Sequence, residues 1–241
     1  MNIAAIDTTT KIAAVSILKQ DKIFNNVIDN EITHSEKLLP LIDNTLKEAR
    51  LTLKDIDILA CINGPGSFTG IRIGLSTLKA FAHVYNQNIF SISSLSLIAY
   101  STYVSKNIDT MYCISMIDAR NDRVYYSMSK IYKNEEEKII IQELYKTSND
   151  LIADAITNLN NYITDSNIPN DLIYISGNAT DKFKKLLSCI SNNTSNFYPD
   201  TNMLIHAIQN IANIDSYMFN AFSLDAMYAR PSQAERMNNN G

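Results

Sequence analysis

The first thirty residues alternate apolar runs with short polar breaks. Ile3–Ile6 and Ile12–Leu18 are rich in aliphatic residues and flank the polar turn Asp7–Lys11, and Lys22–Asn30 is a third extended segment. The chain should therefore open with an antiparallel meander. The capping-box pattern at Thr33–Glu36 then predicts the start of a helix.

Helical periodicity follows this start. Its apolar residues are three and four positions apart: Leu38, Leu41, Ile42, Leu46 and Ala49. Pro40 should kink this helix or split its first turns from the rest.

The next segments predict an alternation of strands and helices that completes one lobe. They are a strand at Ile58–Ile62, a glycine turn at Asn63–Ser67, a helix from Phe68 or Thr69 to Tyr85, a strand at Asn88–Ser91 and a helix at Ser94–Val104.

From about Ile108 the pattern starts again. The predicted elements are a hairpin of Tyr112–Ile117 and Val124–Ile131, a strand at Lys138–Glu143, a helix at Asp150–Leu159, a strand at Leu172–Ser176, and helices at Asp181–Ile190 and Met203–Ile211. We therefore predict an α/β fold of two similar lobes, 1–105 and a reduced 106–241. This is the duplicated architecture of actin, Hsp70 and sugar kinases (the ASKHA fold).

Composition limits the classes of function. Hydrophobic residues make up 46% and charged residues 19%, which is typical of a folded protein. A net charge of −4 and a pI near 5.4 argue against strong nucleic-acid binding by this chain alone. Three widely separated cysteines, no signal-like N-terminus and no membrane-length apolar run predict a cytoplasmic protein with reduced thiols.

The glycine turn is the strongest local feature. Glycines between a strand and a helix allow a tight turn, and the free N–H groups of a helix start can hold an anion. The residues expected in such an anion-binding turn are Gly64, Gly66, Ser67 and Thr69. A purely structural turn is the alternative, and the spacing fits neither a Walker loop nor a nucleophile elbow.

The helix behind this turn has three distinct strips. Arg72, Ser76, Lys79 and His83 form a polar stripe. Ile71, Leu75 and Leu78 form an apolar side, and Gly70 and Gly74 are the small N-terminal end of a third strip. The apolar arc is wider than the ~100° of an ordinary surface helix. The helix therefore needs two covers: its own sheet, and either the preceding helix or a second protein chain.

Several motifs together resemble one known family. In chain order they are Ala5–Thr9, His34–Glu36 with Leu38–Pro40, Asn63–Arg72, Asp118–Arg120 before Val124 and Tyr125, and Tyr228–Arg230 with Gln233–Glu235. This set resembles TsaB, also called YeaZ, over essentially the whole chain, and the glycine segment is its most specific part.

The resemblance implies a non-catalytic subunit of ASKHA fold with no cofactor. Its partners would be TsaD, the catalytic paralogue, and the ATPase TsaE, and tRNA would be bound only through the complex. TsaD would transfer threonylcarbamoyl from threonylcarbamoyl-adenylate to the adenosine next to the anticodon of tRNAs reading ANN codons.

The resemblance also implies where the partner binds. The two helices that follow His34 and Gly66 would pack against TsaD, and a second copy of the chain is a further candidate for the same surface. The residues expected at the interface are Leu38, Leu41, Ile42, Gly70, Ile71, Gly74, Leu75 and Leu78.

Departures from the nucleotide-binding pattern predict a degenerate cleft. Thr8 and Thr9 follow Asp7 where an Asp-x-Gly turn is usual, and Gly177 stands alone between Ser176 and Asn178 where paired glycines are usual. The expected cleft residues are Asp7, Thr8, Asp118 and Gly177.

Two enzyme classes are the alternatives. A metallopeptidase needs about three converging ligands, and no two of the histidines His34, His83 and His206 are one helical turn apart, so we expect no metal site. A sugar or acyl kinase would use Asp7 or Asp118 as base or magnesium ligand. Both residues lie in predicted hairpin turns, where aspartate is common for structural reasons.

Overall fold

The structure, a computed structural model, describes residues 1–29, 34–106 and 108–229 and contains two mixed β-sheets with helices on their faces. The strands of the first sheet are β1 (Ile3–Asp7), β2 (Ile12–Lys19), β3 (Lys22–Asp29), β4 (Ile58–Ile62), β5 (Asn88–Ile92) and β11 (Met218–Phe219). Those of the second sheet are β6 (Thr110–Asp118), β7 (Arg123–Lys133), β8 (Ile139–Leu151), β9 (Ile173–Ser176) and β10 (Thr194–Ser195).

Both sheets begin with an antiparallel meander and continue with parallel strands. In the first sheet β1 pairs with β2 and β2 with β3, and β4 then lies parallel to β1 and β5 parallel to β4. In the second sheet β6, β7 and β8 form the meander, β9 lies parallel to β6, and β10 lies parallel to β9. This repetition confirms the predicted α/β fold class.

Within the described ranges six α-helices cover the sheets: α1 (His34–Ala49), α2 (Phe68–Tyr85), α3 (Ser94–Val104), α4 (Ile152–Asp165), α5 (Ala179–Leu187) and α6 (Thr201–Asn210). α1 and α2 pack on the first sheet in one apolar cluster, and α4 and α5 pack on the second sheet in another. α3 contacts the second sheet and α6 the first, and a third cluster joins residues of both sheets.

The sequence pattern located most elements closely. α2 and α3 have the predicted bounds, and Pro40 lies inside one continuous helix α1. Strand β8 extends to Leu151, beyond the predicted Glu143. Thr33 of the predicted capping box and the motif residues from Arg230 onward lie outside the described residues.

The end of the chain returns to the first sheet. Strand β11 pairs with β5 at the edge opposite β3, and α6 contacts β1, β2 and β4. The chain passes from the first sheet to the second between α3 and β6. Residues from Thr201 onward nevertheless pack largely with the first half. The predicted lobe limits, 1–105 and 106–241, stay a prediction for independently folding units.

The glycines of α2 allow the turn after β1 to approach the helix. A Cβ on Gly70 would lie 1.8 Å from the carbonyl oxygen of Thr8, and one on Gly74 would lie 2.5 Å from the Thr8 hydroxyl oxygen. The Thr8 hydroxyl donates a 2.7 Å hydrogen bond to the Gly70 carbonyl. The residue that approaches both glycines is therefore Thr8 of the same chain, through its backbone at Gly70 and its side chain at Gly74.

We expect Gly70→Ala to lower the free energy of unfolding by about 2 kcal/mol. In an ordinary helix this change stabilises by about 1 kcal/mol. Here the added methyl group meets backbone, and overpacking of this kind costs about 1–3 kcal/mol beyond that gain. Urea unfolding followed by circular dichroism measures the change, with Ser76→Ala on the exposed side of α2 as control. A Gly70→Ala protein as stable as the wild type would contradict the prediction.

A partly buried tyrosine–histidine pair should make stability depend on pH. The Tyr100 hydroxyl lies 2.7 Å from His206 Nδ1, between α3 and α6, and burial lowers the pKa of His206 below 6.5. Folding thus favours the neutral ring, so its contribution to stability should be lost as the pH falls from about 7 to 5. His206→Gln does not titrate, so its stability should fall less over this range. If the stability of the wild type and of His206→Gln depended on pH in the same way, His206 would not be the cause of the pH dependence.

Candidate functional site

A cleft of about 750 Å³ lies between the two halves of the chain. Its first wall consists of Thr9–Ile12, Asp29, Pro65–Phe68, Ser94 and Ile98. Its second wall consists of Ile117–Arg120, Tyr125, Asn178 and Phe197–Pro199. The volume is in the range of small-molecule sites.

Asp7 and Thr8 do not line this cleft. Each is about 3% exposed. The Asp7 carboxylate accepts hydrogen bonds from the backbone N–H of Thr9 at 2.8 Å and from its hydroxyl at 2.7 Å. This is a side-chain turn of the kind that aspartate commonly makes, so Asp7 shapes the turn after β1.

Asp118 does line the cleft, and local contacts hold its carboxylate. Lys182 Nζ lies 3.3 Å from both carboxylate oxygens, and the backbone N–H of Arg120 donates to one of them at 2.9 Å. The backbone N–H of Asp118 donates to the side chain of Asn178 at 2.8 Å. These bonds join the β6–β7 turn to the start of α5.

Gly177 shapes the backbone beside this contact. Its φ is +119°, and a Cβ there would lie 2.1 Å from the carbonyl oxygen of Met116. Only glycine fits this conformation and this space. Gly177 itself does not line the cleft, whereas Asn178 does.

The β6–β7 turn places a cation on the cleft wall. Arg120, Asn121 and Asp122 have φ values of 63°, 51° and 55°, a left-handed run that costs about 1 kcal/mol or more per residue. Bonds from the Arg123 N–H to the Arg120 carbonyl and from the Ile152 N–H to the Asp122 carbonyl hold this turn. Arg120 thus lines one wall of the cleft and Lys11 lines the other, and each wall also carries a carboxylate, Asp118 and Asp29 respectively.

The glycine turn has structural contacts. The Gly64 carbonyl accepts from the N–H of Ser94, the N–H of Ser67 donates to the Thr9 carbonyl, and the Ser67 side chain caps the N–H of Gly70. Gly66 and Ser67 line the cleft, whereas Gly64 and Thr69 do not. These bonds favour the structural interpretation, and anion binding by this turn stays a prediction.

The residues expected at a partner interface are covered within the chain itself. All of them are buried: Leu38, Leu41, Ile42, Gly70, Ile71, Gly74, Leu75 and Leu78. The non-glycine members belong to the apolar cluster between α1, α2 and the first sheet. This differs from the expectation that they face a second protein, because the chain's own sheet and turn already cover them.

Other residues of the same two helices are accessible. On α1 the exposed residues include Glu36, Leu39, Pro40, Asp43 and Lys47. On α2 a row of exposed or half-buried residues, which we call the outer stripe, consists of Thr69, Ile73, Ser76, Ala80 and Val84. α1 and α2 contact each other, so both sets belong to one side of the molecule.

A C-terminal segment that the sequence did not reveal contacts Arg72, Lys79 and His83 of the polar stripe of α2. We call Asn220–Tyr228 the strap. Its contacts follow α2 in antiparallel order: Phe222 with the His83 ring at 5.4 Å, Asp225 with Lys79 at 3.9 Å, and the Tyr228 hydroxyl with Arg72 Nε at 2.9 Å. Leu224 of the strap is fully buried in the apolar cluster of α1, α2 and the first sheet. The motif at Tyr228 was the one sequence signal near this segment.

In the described part of the chain the possible metal ligands lie apart, and two of the three cysteines are buried. No cluster of three or more His, Cys, Asp and Glu residues there could hold a metal ion. Burial raises the pKa of Cys61 and of Cys113 to about 12, so both are protonated at neutral pH. None of the described helices is long and apolar enough to cross a membrane.

Residues 22–222 match the family model described as TsaD, tRNA N6-adenosine threonylcarbamoyltransferase. The tRNA threonylcarbamoyladenosine biosynthesis protein TsaB of Haemophilus influenzae is 32% identical over 128 residues, 53% of each chain. TsaB of Bacillus subtilis is 29% identical over 156 residues, 64% of each chain. The chain thus spans between half and two thirds of the length of these curated relatives.

A solved structure of YeaZ from Pseudomonas aeruginosa has the same fold. It matches 94% of this chain and 99% of its own with a TM-score of 0.71, at 19% identity. The comparison confirms the predicted two-lobed fold over nearly all of the chain. The family match shows that the chain belongs to the family described as TsaD, tRNA N6-adenosine threonylcarbamoyltransferase, and the TsaB proteins named above are its relatives by sequence.

Proposed function

We propose that this chain is a non-catalytic subunit that pairs with TsaD in the cytoplasm, with TsaE in the same complex. TsaD would transfer threonylcarbamoyl from threonylcarbamoyl-adenylate to the adenosine next to the anticodon of tRNAs reading ANN codons. Family membership supports the pathway. The observation that carries the non-catalytic role is the engagement of Asp7 and Asp118, the two carboxylates that the sequence offers for chemistry.

Each of these carboxylates holds its own turn. Asp7 is buried and bonded to Thr9, and Asp118 is bonded to Arg120 and Lys182. A general base must reach a substrate proton at hydrogen-bond distance. Asp7 is kept from the cleft by its burial, and the bonds to Asp118 favour a structural task.

The outer stripe of α2 and the exposed residues of α1 are the surface that we propose for TsaD. Ser76 and Ala80 are small, so a partner helix can approach closely between the larger Ile73 and Val84. Val84 is 70% exposed and Leu39 is 55% exposed, and apolar residues on a shared face support a protein contact. The buried residues predicted for the interface would support these helices from beneath.

The same surface would serve a second copy of the chain when TsaD is absent. Paralogues of one fold can present equivalent helices, and two copies would meet through the same patch. tRNA would contact the complex mainly through TsaD, because this chain carries a net charge of −4.

We expect Asp7→Asn and Asp118→Asn to reduce tRNA modification by less than about threefold in an assay reconstituted with TsaD, TsaE and the threonylcarbamoyl-adenylate synthase. Asparagine keeps an acceptor oxygen for each turn. Removal of a true general base costs about 10²- to 10⁴-fold. A loss of that size in a folded variant that still binds TsaD would place chemistry in this chain.

We expect Ala80→Arg to weaken binding to TsaD at least tenfold, because a long charged side chain would hold the approaching helix away from the outer stripe. A change of about 1.4 kcal/mol gives this factor. Ala153→Arg on α4 is the matched control, because Ala153 is also an exposed helical alanine but lies on the second half. Titration calorimetry measures both. Equal affinities for the two folded variants would place the interface elsewhere.

A further inference from the structure

An arginine on α2 is held by two aromatic residues. The guanidinium carbon of Arg72 lies 3.8 Å from the centroid of the Phe68 ring and 5.7 Å from that of Tyr228. Its Nε donates a 2.9 Å hydrogen bond to the Tyr228 hydroxyl. The two rings lie 5.0 Å apart. We call these three residues the arginine clamp.

The clamp fixes the guanidinium and leaves its outer edge open. Arg72 is exposed, and its two terminal nitrogens make no hydrogen bond or ion pair with any residue in the ranges that the structure describes. These nitrogens form a planar edge that matches the two oxygens of a carboxylate or a phosphate. Because the side chain is already ordered, binding such a group would cost little conformational entropy.

The charge along α2 favours an acidic ligand. The helix carries Arg72, Lys79 and His83 but no aspartate or glutamate, although the whole chain has a net charge of −4. Asp225 of the strap is 3.9 Å from Lys79 and its side chain is 92% exposed, so this pair is weak. The strap thus leaves this side of α2 basic.

The surroundings favour a protein over a nucleic acid. The clamp borders the outer stripe, where Ile73 and Val84 present apolar surface, and the strap adds Phe222, which is 79% exposed. Arginine and tyrosine beside apolar contacts are the residue types that dominate protein interfaces. The acidic chain as a whole would repel a phosphate backbone.

We propose that the arginine clamp is an anchor for an aspartate or glutamate side chain of the partner protein, so that the strap contributes to the interface through Tyr228. This inference rests on the proposed pairing with TsaD and adds the group that is recognised. The strap would then have two tasks: contacting Lys79 and His83 of α2 and holding Arg72 in its binding orientation.

Titration calorimetry against TsaD from the same organism tests the clamp. Arg72→Gln should weaken binding about 30-fold, as for loss of one member of a hydrogen-bonded charge pair. Arg72→Lys should bind TsaD almost as weakly as Arg72→Gln, because lysine keeps the charge but lacks the planar edge. Tyr228→Phe removes one hydrogen bond and should cost about fivefold. Lys79→Gln removes a charge from the same helix outside the clamp and should cost less than about threefold.

The outcomes separate the two proposals. Wild-type protein that fails to bind TsaD would overturn both the pairing and the anchor. Wild-type binding with equal affinity for Arg72→Gln, or an equal loss for Lys79→Gln, would overturn the anchor alone. If Arg72→Gln left the affinity for TsaD unchanged but weakened binding of tRNA by the assembled complex, the clamp would bind a phosphate, and the proposal of a partner carboxylate would be overturned.

Discussion

The close passage of the turn after β1 beneath α2 is the constraint on which the first half of the structure depends. The Thr8 hydroxyl bonds to the Gly70 carbonyl, and the Ser67 N–H bonds to the Thr9 carbonyl, both at 2.7 Å. A Cβ at Gly66 or Gly70 would collide with this turn. The glycines therefore set the distance between helix and hairpin, and this distance positions the apolar side of α2 on the sheet.

This close contact also changes the interpretation of the glycine turn before α2. Glycines before a helix are often associated with anion binding, but here the turn after β1 occupies the space against Gly66 and Gly70. Asp7 adds to the same contact by ordering Thr9. Residues that resemble a nucleotide site thus hold a helix, whose accessible side is left for other contacts.

The sequence predicted the fold well because most of its signals are local. Apolar periodicity set the bounds of α2 and α3, and the two meanders gave the repeated sheets. The strap was missed because Asn220–Tyr228 has no regular periodicity, and its position depends on contacts more than 130 residues away, such as that of Tyr228 with Arg72. The cleft wall at Phe197 and Tyr198 was missed for the same reason.

The sequence could not show which residues of α2 face outward, because an apolar position on a helix does not reveal what covers it. The width of the apolar arc correctly indicated two covers for α2, and the sequence left open whether the second was internal. In the structure the sheet lies on one side, and α1 with the turn after β1 lies on the other. The surface that remains for a partner is the row of residues between these covers and the strap.

Hydrogen exchange of this chain with and without TsaD is the most direct test of the claim that its function lies on this surface and not in the cleft. The account predicts that TsaD slows exchange in α1, α2 and the strap, while the cleft segments at 117–125 and 197–199 are unchanged. Slower exchange confined to those cleft segments, with α2 unaffected, would contradict it.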